Sequence, residues 1–305
     1  MEKERREDDE MLANLNDVLL PARKGGYAVG LFNTVNMELA RGVIAAAEEL
    51  RSPVIIGTAE ILLPYGPLEE LSYLLLPMAR KASVPVVVHL DHGLKKETCL
   101  QALELGFSSI MYDCSDMDYE ENVRNVKEMT KLAHERGATV EAELGHVGDN
   151  EGSAEKCEGA ASTVTGSSRA QDNPAAFYTD PAQAEDFIKR TSADALAIAV
   201  GTAHGAYRFP PKLDFDRIRE ISERLDTPLV LHGGSGLTDT DFRTAIQSGI
   251  SKVNIFTDIN LAGAKGAVEA YREGAGLTDL IPDTVEAVKQ SVMEKMRLFG
   301  SVNRA

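Results

Sequence analysis

Eight short apolar runs recur along the chain: Tyr27–Phe32, Pro53–Gly57, Val84–Leu90, Ser109–Asp113, Thr139–Leu144, Ala195–Gly201, Pro228–Leu231 and Lys252–Phe256. They are rich in Val and Ile and mostly lack strict alternation. Parallel strands buried on both faces read this way. Helical signals lie between them. Asn36 is placed to cap a helix over Met37–Leu50, and an amphipathic stretch from Asp118 to Arg136 stops at Gly137. Asp180-Pro181 reads as an N-cap followed by proline at the first helical position. Thr238 to Asp241 resembles a capping box, Pro77 should kink or split its helix, and Pro282–Phe299 reads as a closing helix.

Strand–helix alternation repeated eight times predicts an α/β protein, a (β/α)8 TIM barrel. The 305-residue length alone suggests two domains, but no boundary is visible, so a single domain over 1–305 is expected. Roughly the first 12 residues read as a flexible extension. The main irregularity is the long loop after strand 5, Gly145 to Thr179, rich in Gly, Ser, Ala and Glu. A structureless insert of this length is expected to be a lid or a disordered loop.

Active sites of such barrels lie at the carboxyl ends of the strands. Strand one ends there with Asn33, strand three with Asp91 and His92, and strand four with Asp113. Strand five brings Glu141 and Glu143, strand six His204, strand seven His232, and strand eight Asn254, Thr257 and Asp258. Three of the six histidines, His92, His204 and His232, each follow an apolar run and precede a glycine. One histidine at a strand exit is usually structural, but three from different strands can hold one divalent metal and leave a coordination position open. Three neutral imidazoles leave zinc its full charge, which can polarise a carbonyl and stabilise an enediolate. Asp91 is the general acid/base candidate. Asp113 and Glu143 are candidates to orient the histidines or to form a second metal position. His89 points to the same face as Asp91 but deeper and reads as a packed core histidine. His134 reads as solvated surface, and Glu151 by default as a solvated charge.

Gly233-Gly234-Ser235-Gly236 after strand seven and the Asn254–Asp258 segment fit phosphate binding by the loops after strands seven and eight. Arg208, four residues after His204, can supply a cation there. The net charge of −16 argues against nucleic acid and anionic membrane as partners. Three cysteines without C-x-x-C spacing fit a reducing compartment. With no leader-like or membrane-length apolar segment, the expected location is the cytoplasm.

At these residues the chain resembles the class II, metal-dependent ketose-bisphosphate aldolases, the group of fructose- and tagatose-1,6-bisphosphate aldolases. The matching segments are His-Leu-Asp91-His92-Gly, Asp113-Cys-Ser with Glu-Glu-Asn122, and Val-Glu-Ala-Glu143-Leu-Gly. Gly201-Thr-Ala-His204-Gly, Leu-His232-Gly-Gly-Ser235-Gly and Lys-Val-Asn254-Ile-Phe-Thr257-Asp258 complete the set. The resemblance implies zinc on His92, His204 and His232, with Asp91 as acid/base at the C4 hydroxyl. It implies a dihydroxyacetone-phosphate phosphate bound by Gly205, Gly233, Ser235, Asn254 and Thr257, often with a sodium or potassium ion near it. Glu151 matches the spacing of the loop glutamate that shuttles the enediolate proton, and Asp113 matches an acidic residue close to the metal. A small phosphorylated sugar as substrate and a homodimer or homotetramer are also implied.

The departures concern the far end of the substrate. Family members tend to carry Asp two residues after the strand-eight Asn, and Arg four residues further on; here these are Phe256 and Asn260. Arg208 stands where a Lys is expected. Leu277–Pro282 lacks the basic residue donated across a subunit interface to the distal phosphate. A zinc-dependent aldolase acting on a ketose 1-phosphate is therefore expected, with a tagatose- or fructose-1,6-bisphosphate aldolase as the alternative. A Schiff-base aldolase fits poorly, because Lys252 starts its strand. A metal-dependent hydrolase would need an activated water and often His-x-His on strand one, which Tyr27–Phe32 does not carry. A non-catalytic sugar-phosphate sensor has no need of both Asp91 and Glu151.

Overall fold

The computed structural model describes residues 11–145, 147–149, 178–204 and 211–305. Eight parallel strands form its centre: β1 (Val29–Asn33), β2 (Val54–Ala59), β3 (Val86–Gly93), β4 (Ser109–Tyr112), β5 (Thr139–Leu144), β6 (Ala195–Ile198), β7 (Leu229–Leu231) and β8 (Ile250–Ile255). Each pairs with the next, and β8 returns to β1 with Asn254 opposite Leu31, closing a TIM barrel. All eight expected strands are present, with ends shifted by a few residues. Their side chains are buried on both faces, as helix-covered parallel strands require. His92, at the mouth, is the only position in these eight strands that is not fully buried.

The described residues form ten α-helices outside the strands: α1 (Leu15–Gly25), α2 (Met37–Leu50), α3 (Leu68–Lys81), α4 (Lys96–Leu105), α5 (Tyr119–His134), α6 (Pro181–Thr191), α7 (Phe215–Arg224), α8 (Asp239–Ser248), α9 (Thr257–Ala270) and α10 (Leu277–Phe299). The caps expected at Asn36, Asp180 and Thr238 all form: their side chains accept from Leu39, from Ala182 and Gln183, and from Asp241. The split expected at Pro77 and the helix start expected at Pro282 are corrected. Pro77 neither splits nor interrupts α3; it sits on the exposed face, where the carbonyl it cannot bond is open to water. The closing helix begins at Leu277, so Pro282 lies inside it, also exposed.

The extension expected over roughly the first 12 residues falls almost wholly on undescribed residues. Residues 1–10 lie outside the described residues, but Met11 already accepts a hydrogen bond from Val86, and Leu12–Ala13 pairs in parallel with Val86 and Val87. Helix α1, absent from the sequence reading, follows with a reciprocal Asn14/Asp17 cap. Its Leu15, Val18, Leu19 and Ala22 pack with the barrel-interior residues Leu31, Ile55, Val87, Ala195 and Val230. That cluster closes the floor of the barrel, so the polar residues of the interior face the opposite end. The long loop lies mostly outside the described residues. Its start, Gly148–Asp149, pairs in parallel with Ala203–His204 at the mouth.

Candidate active site

Asp91 is held at the mouth by two side-chain amides. Asn33 on β1 donates from Nδ2 to one carboxylate oxygen at 2.8 Å. Asn254 on β8 donates from Nδ2 to the other at 2.9 Å. Two amides from the two ends of the closed sheet therefore fix the carboxylate plane. Burial opposes ionisation of Asp91, but His92, Lys252 and His232 outweigh it and hold the carboxyl far below the usual range.

His92 follows at once, in the left-handed region at φ 41°. A non-glycine residue there carries backbone strain and is uncommon outside functional positions. The twist turns its ring toward β4, where Nδ1 lies 2.8 Å from Asp113 Oδ2. Asp113 is itself anchored by the Ser115 backbone N–H at 3.0 Å. His232 presents the other nitrogen to its anchor: Nε2 lies 2.8 Å from Glu141 Oε1. The two rings meet edge to face, with centroids 4.5 Å apart. Burial disfavours the His92 cation, yet Asp91 and the Asp113 hydrogen bond lift the ring to about 10. Burial and the positive charge of His92 lower His232 to about 4, against the pull of Glu141. The pair thus shares one positive charge, held on His92.

Glu143 completes the cluster. Its Oε1 accepts from the Val147 N–H at 3.0 Å, and Oε2 lies 3.5 Å from His232 Nδ1. Asn122 clamps the same residue's backbone carbonyl at 3.0 Å. The ligand atoms of Asp91, His92 and His232 lie within 4.8 Å of one another, as do those of His92, Asp113 and Glu143. Three carboxyls face two imidazoles, and the excess negative charge suits a divalent cation. The donor set fits the expected zinc.

The side chain of His204 lies outside the described residues, as do Gly205, Arg208, Glu151 and His146. The backbone leading to His204 is described, however. Gly233 follows His232 at φ 65°, and a Cβ there would stand 2.4 Å from the Ala203 carbonyl. Only glycine lets the His232 turn approach the His204 strand so closely. Gly234 packs similarly on Asn254, where a Cβ would be 3.0 Å from its carbonyl oxygen. Ser235 lies in the same turn, and Thr257 opens α9 immediately after β8. Asp258 is turned away, paired with Lys295 of α10 at 2.6 Å.

The profile of the family described as "Fructose-bisphosphate aldolase class-II" matches residues 13–304. A fructose-bisphosphate aldolase of Thermus caldophilus is 38% identical over 97% of this chain and 100% of its own. One from Geobacillus stearothermophilus is 37% identical over 96% and 99%. The X-ray structure of the YdjI aldolase of Escherichia coli K12 superposes with a TM-score of 0.82 at 36% identity, covering 97% of this chain and all of that one. This chain belongs to the class II fructose-bisphosphate aldolase family. It is accordingly an aldehyde-lyase.

Within this aldolase the sequence reading missed one group. Lys252 is fully buried, and its Nζ donates to Glu141 Oε2 at 2.7 Å. The available signal was a repeated spacing: His89/Asp91, Glu141/Glu143 and Lys252/Asn254 each place two polar residues two positions apart on one strand. Such residues share a face, so each pair puts one member at the mouth and one below it. His89 is the buried, hydrogen-bonded core histidine expected, 2.8 Å from Ser109 Oγ. His134 is exposed, but it is also tied to Asp194 at 2.8 Å.

Proposed function

We propose that this aldolase uses zinc on His92, His204 and His232 to cleave a ketose 1-phosphate into dihydroxyacetone phosphate and an aldehyde. The observation that carries this reading is the joint placement of Asp91, gripped by Asn33 and Asn254, beside His92 and His232 at one barrel mouth. Zinc bound there supplies positive charge to polarise the ketose carbonyl. Asp91 takes the proton of the C4 hydroxyl as the C3–C4 bond breaks and the aldehyde carbonyl forms. Asn33 and Asn254 hold the carboxylate at that hydroxyl and keep it ionised. Glu151, on the loop after β5, returns a proton to C3. The loop excludes water from the carbanionic product while it waits. Asp113 and Glu143 orient the imidazoles or hold a second metal ion.

The near phosphate is received by Gly205, Gly233, Ser235, Asn254 and Thr257, with Arg208 as its cation. The glycine-rich turn and the amino end of α9 offer backbone N–H groups to that anion. A sodium or potassium ion beside the phosphate belongs to the same reading. The far end differs. Asn260 is neutral and Phe256 is apolar; of Arg272 and Lys289, the two basic residues a neighbouring subunit could lend, Lys289 is paired with Glu49 and Arg272 donates to the Ala270 carbonyl. A charge-assisted hydrogen bond is worth about 1.5–3 kcal/mol. Losing one or two weakens a distal phosphate dianion by roughly one to several powers of ten. The chain is taken to work as a homodimer or homotetramer in the cytoplasm, on a small phosphorylated sugar.

Steady-state kinetics on paired ketose 1-phosphates and 1,6-bisphosphates, with dihydroxyacetone phosphate as the measured product, test this. The expected result is a higher kcat/KM for a 1-phosphate and complete loss of turnover with chelator. A kcat/KM for fructose- or tagatose-1,6-bisphosphate well above every 1-phosphate would overturn the distal-site reading.

A further inference from the structure

Beneath the mouth lies a second polar layer, His89, Glu141 and Lys252, contributed by β3, β5 and β8 and fully buried. The aldol chemistry above gives Lys252 no role beyond its charge near Asp91. A buried ammonium is costly unless it is paired, and an apolar residue of similar volume would fill the space without that cost. The pairing is specific. Lys252 Nζ donates to Glu141 Oε2 at 2.7 Å, and the other oxygen of the same carboxylate lies 2.8 Å from His232 Nε2. His89 Nε2 stands 4.0 Å from Glu141 Oε2, and its Nδ1 is spoken for by Ser109.

We propose that Lys252 is a fixed cation beneath the metal site, which makes Glu141 the permanent acceptor for His232 Nε2–H and so selects Nδ1 as the metal-binding nitrogen. A carboxylate with one oxygen engaged by an ammonium has only acceptor capacity at the other. The ring nitrogen facing it must then carry the hydrogen, which leaves the lone pair on Nδ1. The same rule applied to Asp113 keeps the hydrogen of His92 on Nδ1, so that Nε2 is the nitrogen freed when metal displaces its proton, and the two ligands use opposite nitrogens. That asymmetry follows from their geometry: one ring is held from its strand side, the other from below. Lys252 and Glu141 are positioning residues, since both are fully buried below the mouth. Lys252 also supplies the positive charge in the lower cluster of His89, Asp91 and Glu141, whose ligand atoms lie close enough to hold an ion themselves. The divalent ion is thereby directed to the upper cluster.

The inference rests on the metal reading of the preceding section, and the test separates the two. Long-range ¹⁵N spectra of the intact metal-free protein should show His232 as the Nε2–H tautomer. Finding the Nδ1–H tautomer would overturn the proposal without any variant. In E141L/K252M the buried pair is replaced by apolar volume, and no unpaired charge remains. Zinc affinity measured by chelator competition should fall about 10–100-fold, while the circular dichroism spectrum stays that of the wild type. The Nε2–H signature should be lost at His232, while the Nδ1–H of His92 stays hydrogen-bonded to Asp113. An affinity within about twofold of wild type, or an unchanged His232 signature, would refute the positioning role. Failure of the wild-type protein itself to bind zinc would instead refute the metal reading. If E141L/K252M does not fold, the wild-type spectrum still decides.

Discussion

Glu141 and Glu143 lie two positions apart on β5 and point into the same barrel, yet their carboxyls are driven in opposite directions. Burial opposes ionisation of both. At Glu141, Lys252 and the His232 hydrogen bond overcome it and bring the group down to about 2. At Glu143, burial is joined by the neighbouring charge of Asp113, and the group rises to about 8. One strand thus carries a constant anion and, one layer higher, an acid that ionises when positive charge arrives.

Zinc binding is therefore expected to expel protons at pH 7. Without metal, His92 is protonated to about 10 and Glu143 to about 8. A ligating imidazole must be neutral. Calorimetry in buffers of different ionisation enthalpy should show a buffer-dependent heat. An identical heat in all buffers would contradict the protonated His92.

The same groups set the pH dependence of the metal-free protein. The folded pKa of His92 lies above its unfolded value of 6.5, so its contribution is complete below that value and disappears as pH rises through about 10. Glu143 acts with the same sign between 4.5 and about 8. His232, lowered to about 4, acts oppositely and costs stability as pH falls below 6.5. The melting temperature of chelated protein should decline from neutral toward alkaline pH, and zinc should flatten that decline.

Removing a ligand tests the site directly. His232→Ala is expected to lose stoichiometric zinc and nearly all turnover, and chelator should inactivate the wild type reversibly. Full turnover with bound zinc in His232→Ala would remove that residue from the metal site.

Asp91 and its amides form a graded series. Asp91→Ala should cost about 10²–10⁴-fold in kcat. Asn33→Ala, which leaves one of the two donors, should cost about tenfold, in line with one hydrogen bond to a charged group. A larger loss in Asn33→Ala than in Asp91→Ala would mean that Asn33 meets the substrate itself.

Gly57 offers a test of the scaffold. It lies opposite His89, and a Cβ there would sit 2.0 Å from the His89 carbonyl oxygen. Gly57→Ala must push β2 from β3, at a cost of about 1–3 kcal/mol or more by chemical denaturation. The displaced strand carries Asp91 and His92, so kcat should fall alongside stability.

Much of this architecture was legible in the chain. The eight apolar runs exposed the strands because parallel strands are buried on both faces, and capping residues marked several helix starts. What stayed hidden was set by contacts across the fold. Leu12–Ala13 is too short to show a period, and α1 covers a floor that exists only once the barrel closes. Pro77 and Pro282 were misread because their tolerance depends on which side of the helix faces water. At the site, Asp91, His92 and His232 announced themselves by their place at strand exits. Lys252 did not, since a lysine two positions before Asn254 looks like a strand terminus until Glu141 is seen opposite it.

The division of the site along the chain bears on how such barrels can be recombined. Asp91, His92, Asp113 and Asn33 come from β1 to β4, whereas Glu141, His232, Lys252 and Asn254 come from β5 to β8. A half-barrel exchanged with a relative at the β4–β5 junction would carry the Lys252–Glu141–His232 chain across intact. It would sever Asp91 from Asn254 and His92 from its neighbouring ring. Chimaeras cut at that junction are expected to keep the Lys252–Glu141–His232 chain and to need re-matching at the mouth and at His89, across the two seams β4–β5 and β8–β1.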